Sequence, residues 1–186
     1  MTDFKRIGLV GRPDHSGVVD SLLRLLAFLG NQDVDIVLDD VTARLIENPG
    51  VNECTREELS SRCDLVIVVG GDGSILNVAK FIASDQVPVI GINRGKLGFL
   101  TDVLPNEIET NIANVLNGDY SVDKRFLLDV VARRGTTEHN LGSALNDVVL
   151  HPGKAAQMIE FELFIDDKFV YSQESDGLIV STPTGS

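Results

Sequence analysis

Apolar and polar positions follow two different rhythms along this chain, and the change of rhythm divides it. From Arg6 to Val10 apolar residues run up to Gly11, which predicts a strand; Val18, Leu22, Leu25 and Leu29 then recur at helical spacing until Gly30 ends the helix. Val34 to Leu38 reads as a second strand. Thr55, followed three residues later by Glu58, has the form of a capping box and predicts a short helix. Leu65 to Val69 is continuously apolar, as expected of a strand covered on both faces of a parallel sheet. A helix over Ser74 to Ala83, a strand over Val87 to Ile92 and a helix from Pro105 to Leu116, closed by Asn117-Gly118, complete the series. This β-α-β-α-β order predicts an open parallel sheet with helices on both sides. In such sheets ligands sit beyond the carboxyl ends of the strands.

From Tyr120 onward the helical spacing disappears. Strand patterns follow one another at Phe126 to Ala132, Ala144 to Leu150, Met158 to Ile165, Phe169 to Gln173 and Leu178 to Val180. In the third, Ile159, Phe161, Leu163 and Ile165 alternate with Met158, Glu160, Glu162 and Phe164, a period of two with one apolar and one mostly polar face. Asp166-Asp167 reads as a hairpin turn. The predicted fold class is α/β: an open parallel-sheet amino-terminal domain over 1–119, then an incomplete all-β, sandwich-like second domain over 120–186. Ser181 to Ser186 is a turn-like loop with no closing element after it, and a sheet edge is normally paired or covered. The expectation is of a truncated chain.

Composition narrows the partners. The chain has 186 residues, 43% of them hydrophobic, and 16 basic against 28 acidic side chains give a formal net charge of −12. That length buries one sizeable core or two small ones. Nucleic acid and anionic lipid are gripped by Lys/Arg clusters, so neither nucleic acid nor a membrane is an expected partner of so acidic a chain. The longest strongly apolar run, Leu65 to Val69, falls far short of the roughly 20 residues that span a bilayer. Met1 to Arg6 carries no apolar signal segment, and a soluble, cytoplasmic protein is expected. Cys54 and Cys63 fit neither a disulfide framework nor zinc spacing and read as reduced thiols.

Candidate chemistry concentrates at Gly70-Gly71-Asp72-Gly73-Ser74, between the apolar strand and the next helix. Glycines let the backbone turn sharply and admit a phosphate or ribose with no Cβ in the way. Ser74 is placed to cap a helix whose amino end favours anions. Asp72 supplies a carboxylate that accepts hydrogen bonds from hydroxyls and can act as a general base. The bland alternative is a strand-to-helix turn that only needs glycine. Leu76 breaks the G-x-G-x-x-G pattern and no G-x-x-x-x-G-K-[ST] occurs, so neither a dehydrogenase-type dinucleotide site nor a P-loop is predicted.

A second cluster, Gly91 to Leu100, combines glycines with Arg94 and Lys96. It reads either as the border of a phosphate site or a mobile lid, or as a surface loop with solvated cations. Phe99 within it is either a stacking surface for a base or a core residue. Asn146-Asp147 sets an amide beside a carboxylate, and only a bulge or strand end lets both reach one ligand. Ser175-Asp176-Gly177 and the hydroxyl-rich Ser181 to Ser186 read as ligand loops or as plain turn chemistry. His15, His139 and His151 are scattered with no carboxylate at triad or metal spacing, and no protein metal site is predicted.

Taken in order, Gly70-Gly71-Asp72-Gly73-Ser74, Gly91-Ile92-Asn93-Arg94-Gly95-Lys96-Leu97-Gly98-Phe99, Ala144-Leu145-Asn146-Asp147 and the run from Asp176 to Ser186 resemble the NAD kinase family, bacterial members most, over essentially the whole chain. The Gly-Gly-Asp-Gly piece is shared with diacylglycerol and sphingosine lipid kinases and with phosphofructokinases. Its combination with Thr182-Pro183-Thr184-Gly185-Ser186 is specific. The resemblance implies ATP-dependent phosphorylation of the 2′-hydroxyl on the adenosine ribose of NAD, giving NADP, with Mg²⁺ or another divalent cation accompanying ATP. It implies Asp72 as proton acceptor, Gly73 along the dinucleotide, Asn146 and Asp147 on adenine-side ribose or base groups, and Asp176 on the nicotinamide half. Gln157 and Glu174 fall where further substrate contacts are placed, but depart from the His and Arg of the pattern, which leaves the choice between NAD and NADH open. Ser74 stands for the usual Thr and Asp147 for the usual Glu. The family pattern continues past Ser186 with Thr-Ala-Tyr and more β-structure. The resemblance therefore implies an impaired or inactive fragment of an enzyme that forms homodimers or homotetramers. Two alternatives stand beside it: a lipid kinase of the diacylglycerol type, which calls for an apolar or basic membrane-facing patch that the sequence does not display, and a non-catalytic dinucleotide-binding module.

Overall fold

Leu65 to Gly70, the most continuously apolar stretch of the chain, is a strand buried along its whole length. The computed structural model that shows this describes residues 4–13, 15–47, 50–95, 98–153 and 157–186. Lys96 and Leu97 of the second glycine cluster, and Met1 to Asp3 of the amino-terminal segment, lie outside the described residues. The chain separates into two units, 1–123 and 124–186.

The first unit runs β1 (Arg6–Gly11), α1 (Val18–Leu29), β2 (Asp35–Asp39), α2 (Asp40–Leu45), β3 (Asn52–Cys54), a 3-10 turn into α3 (Leu59–Arg62), β4 (Leu65–Gly70), α4 (Asp72–Ile82), β5 (Val89–Asn93) and a second 3-10 turn into α5 (Ile108–Leu116). Its five strands lie in the order β3-β2-β1-β4-β5, all parallel. Leu22, Leu25 and Leu29 of α1, with Ile108 and Ile112 of α5, pack on Ile7, Leu9 and Ile67 of one sheet face. Leu59 of α3 and Ile75, Val78 and Ile82 of α4 cover Val66 and Val68 on the other. Helices therefore flank both faces, as the sequence predicts. Each such aliphatic side chain contributes about 1.5–3 kcal/mol through burial. The Arg24 guanidinium, donating to Glu109 at 2.9 and 2.5 Å, ties α1 to α5.

The chain runs outward from β1 through β2 to β3, then returns to β4 on the opposite side of β1. Strand order thus reverses between β1 and β4, which makes the crevice beyond their carboxyl ends the place where this architecture holds ligands.

The second unit is antiparallel. It contains β6 (Leu128–Arg134), β7 (Thr137–Ala144), β8 (Asp147–Leu150), β9 (Ile159–Ile165), β10 (Lys168–Ser175) and β11 (Leu178–Ser181), paired as β6-β7, β8-β11 and β9-β10. Asp166 and Asp167, with φ of 50 and 60°, form the two-residue turn between β9 and β10.

Several boundaries differ from the sequence expectation. Helix α4 opens at Asp72 rather than Ser74, because the chain turns into the helix directly after Gly71. Helix α2 and strands β3 and β7 have no counterpart in the predicted series: α2 is a single short turn-and-a-half, β3 is a polar three-residue edge, and the exposed sequence of β7 offers no apolar alternation to read.

Candidate active site

At the carboxyl end of β4 the chain turns through Gly71 and enters α4 with Asp72 as its first residue. The half-buried Asp72 carboxylate accepts hydrogen bonds from the Phe99 N–H at 2.7 Å, the Leu100 N–H at 3.1 Å and the Thr101 hydroxyl at 3.1 Å. Thr101 is fully buried, and a Cβ at Gly98 would collide with the carboxylate. The first two glycine clusters of the sequence are therefore one structure: the turn presents a carboxylate and the 98–101 segment clamps it. About four lone-pair positions exist on a carboxylate and the clamp uses three, so one acceptor position remains.

Ser74 does not cap the helix. It is the third helical residue, 7% exposed, and its Oγ has no hydrogen-bond partner. Arg94 is likewise no solvated surface cation: its N–H donates to the Gly70 carbonyl at 2.9 Å, and its half-buried guanidinium lies against Gly17, whose left-handed φ of 76° and missing side chain make the room. The Phe99 ring is 87% exposed rather than part of the core, and it projects from the backbone that holds Asp72.

Beyond the ends of β1 and β4 lies a cleft of about 190 Å³ lined by Gly11, Arg12, Arg56, Gly73, Ser74 and Asn77, among others. Arg12, Arg56 and Asn77 carried no signal in the sequence. Arg12 is legible afterwards as the residue that leaves β1 at the switch point. Arg56 sits inside the Thr55–Glu58 capping box, which forms as predicted, and nothing in that local pattern shows that its guanidinium reaches the cleft.

In the second unit Asp147 opens β8, so the amide and carboxylate of Asn146-Asp147 stand at a strand end, the condition under which neighbours can serve one ligand. The Thr182 loop folds onto this end. Thr182 N–H donates to the Asn146 carbonyl at 2.8 Å, and its buried hydroxyl donates to the Leu145 carbonyl at 2.5 Å. A Cβ at Gly185 would strike the Asn146 carbonyl. The Asn146 Oδ1 is buried without a partner. Gln157, Glu174 and Asp176 are exposed. Ile159 pairs with Ser175, so Gln157 and Asp176 flank the same open end of the β9–β10 hairpin, with Glu174 one residue inside it.

Cys54 and Cys63 are free and buried, and burial pushes their thiols up to about 11 and about 12. At those values both thiols keep their protons at neutral pH.

A doubly wound sheet with a glycine-bounded carboxylate at its switch point, followed by antiparallel β-structure, defines a two-part architecture whose candidate site lies beyond the carboxyl ends of the parallel strands. The family description of the ATP-NAD kinase N-terminal domain matches residues 7–120, and that of the C-terminal domain matches residues 145–186. The NAD kinase of Chromohalobacter salexigens is 53% identical over 186 residues, covering 100% of this chain and 64% of the relative. The crystal structure of yeast NADH kinase complexed with NADH superposes with a TM-score of 0.86 at 23% identity, over 97% of this chain and 58% of that one. An NAD kinase from Archaeoglobus fulgidus in complex with ATP gives a TM-score of 0.68 at 26% identity, over 97% and 61% of the two chains. The chain belongs to the NAD kinase family, and it spans less than two thirds of the length of the curated relatives it matches.

Proposed function

We propose that the protein containing this chain is an ATP-dependent NAD kinase that phosphorylates the 2′-hydroxyl of the adenosine ribose of NAD to give NADP. The observation that carries this is the Asp72 carboxylate, set on the first turn of α4 at the switch point and oriented by three donors with one acceptor position left. In the proposed step that position takes the proton of the ribose hydroxyl as the new O–P bond forms and the bond from the γ-phosphorus to the ADP oxygen breaks. Phosphoryl transfer asks the protein mainly for alignment and charge neutralisation, and a positioned base adds about 10²–10⁴-fold. Gly73 lies along the dinucleotide, Asn146 and Asp147 take adenine-side groups, and Asp176 takes the nicotinamide half. Gln157 and Glu174 flank the same hairpin end and bear on the choice between NAD and NADH.

Mg²⁺ belongs with the donor in this proposal. Among the described residues no cluster of three or more His, Cys, Asp or Glu side chains is grouped to hold a metal ion, and Mg²⁺ commonly rides on substrate phosphates with its remaining positions filled by water. The residues present thus suit a cation that arrives on ATP. Cytoplasmic location, a role in NADP supply and assembly into homodimers or homotetramers complete the proposal. No helix among the described residues is long and apolar enough to cross a membrane.

A second reading, a dinucleotide-binding module without turnover, is favoured by the three donors already engaged on Asp72. The deciding experiment incubates the protein, and a form extended to the length of its curated relatives, with NAD, ATP and Mg²⁺, and measures NADP. NADP formation abolished by Asp72→Asn supports the kinase. NAD binding by calorimetry with no NADP from the extended form supports the module, and near-normal turnover in Asp72→Asn removes Asp72 from the base role.

A further inference from the structure

The clamp on Asp72 divides its two carboxylate oxygens unequally. Among the described residues, Oδ1 accepts from the Leu100 N–H and from the Thr101 hydroxyl, both at 3.1 Å, whereas Oδ2 accepts from the Phe99 N–H alone, at 2.7 Å. A carboxylate oxygen offers about two lone-pair positions. Oδ1 is therefore saturated, and the acceptor position left for a ligand lies on Oδ2. The arrangement serves both charge states of the acid. With a proton on Oδ2, Oδ1 becomes a carbonyl-type oxygen and still accepts both of its donors.

Of the three donors, the hydroxyl is the one that depends on the residue present. Any residue but proline brings a backbone N–H to positions 99 and 100, whereas the Thr101 donor needs a hydroxyl side chain. That side chain is fixed from behind. Thr101 is fully buried, and a Cβ at Gly91 would come within 2.8 Å of both the Thr101 methyl and the Leu100 carbonyl oxygen. Gly91 of β5 thus makes the space into which the clamp packs. Just beyond, the backbone is pinned to the same strand: the Asn93 N–H donates to the Val103 carbonyl at 2.8 Å, the Val103 N–H donates to the Gly91 carbonyl at 3.2 Å, and Ile92 and Val103 form a parallel bridge. The clamp is anchored to the sheet, and branching at Cβ leaves the Thr101 side chain few rotamers. Its hydroxyl is therefore held on a rigid element, as precise placement of a reacting group requires.

We propose that Thr101 is a positioning residue for the phosphoryl transfer: by filling the second lone pair of Oδ1 it leaves Oδ2 as the oxygen that meets the acceptor hydroxyl. The hydroxyl proton passes to Oδ2 as the new O–P bond forms and the bond from the γ-phosphorus to the ADP oxygen breaks. The identity of that hydroxyl rests on the kinase reading above; the division of the two oxygens does not. Two readouts keep them apart. In proton–nitrogen correlation spectra of the protein, Thr101→Val, which removes the hydroxyl at nearly constant volume, is expected to shift the Leu100 amide proton, which shares Oδ1, and to shift the Phe99 amide proton, on Oδ2, less. In the form extended to the length of its relatives, the same variant is expected to lower kcat about tenfold or more with KM for NAD within about twofold, and Thr101→Ser to recover most of the loss. Thr101→Val should add little in the Asp72→Asn background, where no carboxylate remains to be positioned; a hydroxyl that only stabilised the fold would lower both backgrounds alike. Should Thr101→Val fail to fold, Thr101→Ala removes the hydroxyl without setting a methyl against the carboxylate and takes its place. The proposal is overturned by an unmoved Leu100 amide, by equal shifts at Leu100 and Phe99, or by equal losses in the two backgrounds. A selective Leu100 shift in a protein whose extended form makes no NADP keeps Thr101 as the residue that directs Asp72 and removes the kinase. NADP formation whose kcat survives Thr101→Val keeps the kinase and removes the positioning role.

Discussion

Strands β4 and β9 are both rich in Val, Ile, Leu and Phe, yet β4 is buried at every position and β9 at none. The difference is one of neighbours. β4 has a parallel partner on each edge, β1 and β5, and helices over both faces. β9 has the single partner β10, and Phe164, Ile165 and Phe169 of that hairpin remain exposed. Across the described residues of 124–186 only Thr182 is buried, whereas 1–123 holds two apolar clusters. Two-stranded hairpins are marginal by themselves because each strand satisfies one edge and leaves a face open. The apolar alternation of β9 thus records a face that its own hairpin does not cover.

Deep truncation should show the contrast most strongly. Ile67→Ala, in a fully buried position, is expected to cost about 2–5 kcal/mol in chemical denaturation, whereas Phe161→Ala in the half-buried β9 should cost about 1 kcal/mol or less. Equal losses would mean that the two units share one cooperative core. Next comes Thr182→Val, which leaves the Leu145 and Asn146 carbonyls without the buried hydroxyl; a loss of about 1–3 kcal/mol is expected, read by hydrogen exchange in β8 and β11. No change there would mean that the loop's order comes from elsewhere.

A smaller gain is expected from Asp166→Asn with Asp167→Gly, because both residues hold left-handed φ in a turn that favours Asn-Gly. The β9–β10 hairpin should gain at most about 1 kcal/mol, seen as slower amide exchange. The smallest effect concerns the thiols. Burial raises the folded pKa of Cys54 to about 11 and of Cys63 to about 12 from an ordinary 9.0. Below about pH 9 both states keep their protons and no stability change arises between pH 6 and 8. Above it the unfolded chain ionises first, so stability falls as pH rises toward the folded values. Fast reaction of either thiol with an aromatic disulfide at pH 8 would contradict that burial.

Much of the fold was legible because local rules and tertiary context agree. The apolar run of β4 needed two covered faces and found them, and Thr55 with Glu58 closed the capping box they spell. The site was legible only in part. Asp72 was visible because a carboxylate between glycines has little to do in packing. Its three donors were not, since they lie 27 to 29 residues away in a cluster whose glycine at 98 simply makes room for it. Phe99 and Arg94 stay open between two readings in the sequence for the same reason: a motif names residues but not the side of the backbone they occupy.

By itself the order of residues determined the parallel sheet, the antiparallel second part and the glycine-bounded acid, because all of these follow from short-range periodicity and turn chemistry. Only the folded chain decided that Asp39, Thr42 and Gly11 brace Arg56 at the rim of a cleft with Arg12 and Ser74. Those residues are scattered along the sequence, and what unites them is the cost of leaving a buried charge unpaired, a constraint that acts on neighbours in space and leaves no spacing to read.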